Sequence, residues 1–81
     1  MNARDVVKQI MDEQGVTNAT MADKLEITQA TLWDRLNNRK NKSITVSKLN
    51  PLLRQLGFKL VIVPRDKAIR MDGCYILDDD E

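Results

Sequence analysis

Residues 15–38 read GVTNATMADKLEITQATLWDRLNN, and the spacing of apolar and hydroxyl side chains in this stretch decides the fold. Thr17 is suited to cap a short helix whose inward residues are Met21, Ala22 and Leu25, which fall at helical spacing. Three residues after Leu25, Thr28 is suited to cap a second helix. Ile27 precedes that cap and Leu32 is the fourth helical residue, the pairing of a hydrophobic staple. Leu32 and Leu36 continue the inward face. Two helices of about two turns each, joined by a three- or four-residue turn, make the helix-turn-helix pattern.

Working outward, Asn2 is suited to cap an earlier helix, with Asp5 near the positive end of its dipole. Ala3, Val6, Val7, Ile10 and Met11 form one apolar stripe, and Gly15 stands where a left-handed residue ends a helix. On the other side, residues 37–43 form a polar, basic loop with no apolar side chain. A fourth helix is expected roughly from Val46 to Gln55, closed by Gly57. Pro51 complicates its start. With Thr45 as cap the proline lies deep in the helix; with Ser47 as cap it removes only one early hydrogen bond. A late start or a kink is therefore expected.

Beyond Gly57 the chemistry changes. Residues 58–63 (FKLVIV) are mostly β-branched or apolar, bounded by Gly57 and Pro64, and read as a strand. Residues 74–77 (CYIL), after Gly73, read as a weaker second strand, and the linker over 65–72 is too long for a tight turn. The expected fold is mostly α, with four helices and a short C-terminal β element. The expected organisation is a helical domain over 1–57, a β dimerisation element over 58–77 and a disordered acidic tail over 78–81.

Eighty-one residues suit one domain whose core is only just sufficient alone, so burial at a dimer interface would help. Three aromatic residues leave the core to Leu, Ile, Val, Met and Ala. The single Cys74 excludes an intrachain disulfide, fits a reducing compartment and is expected as a small buried residue. No signal peptide and no membrane span are read, which points to a cytoplasmic protein. The net charge of +1 conceals an asymmetry. All 13 basic residues precede Asp78, whereas four of the 12 acidic ones are Asp78, Asp79, Asp80 and Glu81. Residues 1–77 thus carry 13 basic and 8 acidic side chains, a net of +5, which is compatible with nucleic-acid binding.

Residues 15–57 resemble the lambda-repressor-like, XRE-type helix-turn-helix family. Thr17, Met21, Ala22, Leu25, Ile27, Thr28, Gln29, Thr31, Leu32 and Leu36 occupy its pattern positions. The resemblance implies a sequence-specific regulator that sets its second motif helix, residues 28–37, in the major groove of duplex DNA. It puts Gln29, Ala30, Trp33 and Asp34 at base-facing positions. Asn18, Thr28, Asn38, Arg39 and Lys40 match backbone contacts, and Lys42 in the same basic loop is a further phosphate candidate. Glu26 departs from the pattern where the family's turn has glycine, and Arg35 stands where many members are apolar. The junction into FKLVIVP resembles HipB-type antitoxins, whose strand pairs with its copy in a second subunit. That implies a homodimer joined through Phe58, Leu60, Val61, Ile62 and Val63.

The residues themselves leave alternatives. Gln29 suits adenine N6 and N7, and Ala30 suits a thymine methyl or simply a helix. Trp33 either covers the core edge or makes an apolar contact in the groove. Asp34 suits cytosine N4 or a solvated, Arg-paired face. A DNA-binding repressor belonging to a phage, mobile element or local operon is the leading expectation. The alternative is an antitoxin or phage-encoded protein that inhibits a toxin or host partner. Catalysis is not expected: there is no histidine, no phosphate-binding glycine loop, no metal-ligand spacing and no nucleophile–base pair. No cofactor and no metal are expected.

Overall fold

A computed structural model of the chain describes residues 2–37, 44–67 and 71–77. The helices run α1 Ala3–Gln14, α2 Asn18–Leu25, α3 Gln29–Asn37 and α4 Val46–Gln55. The starts of the first three follow from local chemistry. Asn2 Oδ1 accepts from the Asp5 amide at 2.9 Å, Thr17 Oγ1 from the Thr20 amide and Thr28 Oγ1 from the Thr31 amide, each at 3.1 Å. Each satisfies one of the amides that a helix start leaves without a partner.

Three helices end by one device. The amides of Gly15 and Val16 bond back to the Asp12 and Met11 carbonyls. Those of Glu26 and Ile27 reach Asp23 and Ala22, and those of Gly57 and Phe58 reach Arg54 and Leu53. These are Schellman closures, which need a left-handed residue after the helix. Glycine fills that place at Gly15 and Gly57. After α2 it is filled by Glu26 at φ 58°, the one non-glycine residue with positive φ among those described.

The core draws on every helix: Val6, Val7, Ile10 and Met11 of α1, Met21 and Ala22 of α2, Leu32 and Leu36 of α3, and Leu49, Leu52 and Leu53 of α4, with Leu56. Helices α1 and α2 each pack against both α3 and α4. No polar side chain is buried among the described residues. Apolar burial is therefore what holds the helices together, at roughly 1.5–3 kcal/mol for a fully buried Leu, Ile or Met.

α4 runs over the expected Val46–Gln55, and of the two outcomes expected at Pro51, a late start or a kink, the late start does not form. The helix begins at Val46, its first carbonyl is that of Thr45, and Pro51 lies inside it. Thr45 gives no side-chain cap; its hydroxyl pairs with that of Ser47 at 3.1 Å. An interior proline costs about 3 kcal/mol, and it is tolerated because the helix that runs through it sends Leu49, Leu52, Leu53 and Leu56 into the core together.

Neither expected strand forms among the described residues. After α4, Phe58 and Leu60 pack partly against the helical core, and Val61, Ile62 and Val63 then lie in solvent, Ile62 at 98% exposure. A ladder needs a second strand at hydrogen-bonding distance. Residues 74–77 do not supply it, because Tyr75 turns to α1 and to Phe58 instead. The Tyr75 and Phe58 rings meet edge to face at 5.7 Å, which docks the C-terminal segment on the helices. Cys74, expected buried, is exposed in the turn after Gly73. The acidic tail, residues 78–81, lies outside the described residues.

Candidate functional site

Helix α3 has one face in the core and one in solvent. Leu32 and Leu36, one turn apart, are buried. Helical geometry then sends Ala30 and Asp34 to the opposite side and Trp33 to the flank beside them, where all three are exposed. Gln29, the first helical residue, is exposed beside them. The four residues expected to face bases thus share one accessible surface. Trp33 keeps 58% of its surface exposed, so it does not cover the core edge. Arg35 is half-buried on the flank, and Leu36 is the residue that anchors this end of α3.

The position of this face is fixed at both ends. At the N-terminal end the Thr28 hydroxyl donates to Thr31 Oγ1 at 2.8 Å while accepting from the Thr31 amide. At the C-terminal end Arg4 Nε donates to the Arg35 carbonyl and Lys8 Nζ donates to Asn37 Oδ1, both at 2.7 Å. Asn37 Nδ2 in turn donates to the Trp33 carbonyl at 2.9 Å. Two cations from α1 therefore sit at the negative end of the α3 dipole, a favourable arrangement. Sequence reasoning did not single out Arg4 and Lys8. They reach α3 across 31 and 29 residues, and no local pattern marks such a pairing.

The expected backbone-contact residues divide. Asn18, first residue of α2, and Thr28, before α3, are exposed. Asn38, Arg39, Lys40 and Lys42 lie outside the described residues. Of the five expected interface residues, Phe58 and Leu60 are half-buried within the chain and Val61, Ile62 and Val63 are exposed. Met71, Ile76 and Leu77 add further exposed apolar surface to this segment.

One pair of groups titrates away from its ordinary range. Tyr75 Oη donates to a Glu13 carboxylate oxygen at 2.5 Å. That bond, with a second from Gln9, holds the Glu13 carboxyl below its usual 4.5. The same bond, with partial burial and the Glu13 charge, raises the Tyr75 hydroxyl above its usual 10.0. Both lie at the far end of α1 from Arg4 and stabilise docking rather than chemistry.

Among the described residues no group of three His, Cys, Asp or Glu side chains is placed to hold a metal ion, and no helix is long and apolar enough to cross a membrane. No family model, curated protein or solved structure matches this chain.

Proposed function

We propose that this chain is a lambda-repressor-like helix-turn-helix regulator that binds duplex DNA through α3 and acts as a homodimeric repressor. The observation that carries this reading is the exposed face of α3, where Gln29, Ala30, Trp33 and Asp34 stand together on a helix whose other side is anchored in the core. An α-helix fits the major groove, and polar or apolar residues near its N-terminus reach base edges there. The net +5 of residues 1–77 supplies attraction to phosphate. The role is binding, not catalysis.

The dimer rests on the C-terminal segment. Val61 and Ile62 expose apolar side chains, and residues 58–63 find no ladder partner among the described residues. Antiparallel pairing with the same residues of a second copy would satisfy those backbone groups and cover the side chains. Such a dimer binds an inverted repeat with half-sites about 34 Å apart, and its occupancy of the duplex excludes other proteins.

A second reading, an antitoxin or phage-encoded inhibitor that binds a partner protein, is favoured by the same exposed apolar residues if a different chain covers them. Selection from a random-sequence duplex library separates the two. The DNA reading requires an enriched inverted repeat whose affinity falls steeply with salt. Failure to enrich any sequence would transfer the function to the partner-protein reading.

A further inference from the structure

The chemistry of the exposed α3 face restricts which bases it can read. Its side chains are an amide (Gln29), a methyl (Ala30), an indole (Trp33) and a carboxylate (Asp34), with no cation among them. Guanine presents two acceptors in the major groove, N7 and O6, and is matched best by Arg or Lys. The one basic residue of α3, Arg35, is half-buried on the flank. Asp34 offers guanine only another acceptor. Adenine suits the Gln29 amide, which can accept from N6 and donate to N7. Thymine alone carries a methyl group in the groove, and Ala30 and Trp33 offer apolar surface one turn apart.

Resting on the DNA-binding reading above, we infer that α3 reads an A·T-rich half-site, with thymine methyl groups against Trp33 and Ala30 and adenine at Gln29. Trp33 is the main specificity-determining residue, because it presents the largest apolar surface on the face.

Replacing thymine by uracil removes only the methyl group and leaves base pairing intact, so it isolates this contact. The full chain is first used to select sites from a random duplex library. In the selected site each thymine of the half-site is then replaced by deoxyuridine and affinity is measured by fluorescence anisotropy. One buried methyl corresponds to about fourfold in affinity. The expected result is an A·T-rich consensus, a loss of about that size at one or two positions for the native chain, and no loss at the Trp33-facing position for Trp33→Ala. Trp33 is largely exposed, so this variant keeps the fold, which circular dichroism checks. A consensus dominated by guanine contacts, or affinity indifferent to uracil, would overturn the inference while leaving DNA binding in place. Enrichment of no sequence at all would overturn both.

Discussion

Leu32 and Trp33 are neighbours in α3 and end in opposite environments: Leu32 has no exposed surface, whereas Trp33 keeps 58%. The helical turn of 100° per residue makes this possible, and it separates the residue that holds the helix from the residue open to solvent.

Substitution of the two therefore has opposite consequences. Leu32→Ala leaves a cavity among α1, α2 and α3 and is expected to lower stability by about 2–5 kcal/mol. Trp33→Ala is expected to change stability by no more than about 0.5 kcal/mol, as for an ordinary surface position. It should weaken DNA binding on the order of tenfold, as loss of a base contact does. Urea denaturation and anisotropy titration of both variants check the separation.

Glu26 closes α2 in a left-handed conformation that glycine adopts without strain. A residue with a Cβ costs roughly 1–2 kcal/mol there. Glycine returns part of that gain as extra freedom of the unfolded chain. Glu26→Gly is expected to stabilise the protein by about 0.5–1 kcal/mol, read as a higher melting temperature. Glu26→Ala, which keeps the Cβ, should not.

The Tyr75–Glu13 bond confers a pH window on the docking of the C-terminal segment. Glu13 is lowered from 4.5, so its contribution is present above that value and lost as pH falls through the lowered pKa. Tyr75 is raised from 10.0, so its contribution is full below pH 10 and lost as pH rises through the raised pKa. Docking is therefore retained across the neutral range and loosened at both extremes. An absorbance titration in the tyrosinate band should give a pKa above 10.0 that falls toward the ordinary value in Glu13→Ala, which removes both the acceptor and the charge.

Ile62 is 98% exposed in the single chain, so Ile62→Lys leaves the helical core untouched. It places a charge where two copies of residues 58–63 are proposed to pair. Light scattering after gel filtration should give a dimer for the native chain at micromolar concentration and a monomer for the variant. Identical monomer masses for both would contradict the pairing.

Helix starts and ends were legible in the sequence because caps are local chemistry. Asn2, Thr17 and Thr28 each act within three residues, and Gly15 closes its helix within five. The grouping of Gln29, Ala30, Trp33 and Asp34 was legible too, although the base-facing role proposed for them rests on a family resemblance and the sequence leaves Trp33's side open. What the sequence hid is long-range. Nothing near Tyr75 announces Glu13, 62 residues away, or near Arg4 its bond to Arg35. Pro51 argued locally for a late start or a kink, and the helix instead begins at Val46 and carries the proline inside it while four leucines are buried. Residues 58–63 carry strand chemistry, but a β ladder is a property of two segments, and the described residues supply no second one.

The most direct measurement is an NMR titration of the isotope-labelled chain with the duplex selected from the random library. The expected result is amide and indole shift changes concentrated on Gln29, Ala30, Trp33 and Asp34, with Asn18 and Thr28, while the outer face of α4 stays still. Shifts confined to residues 61–63, or absent from α3 at saturating duplex, would contradict the claim that α3 is the DNA-reading helix.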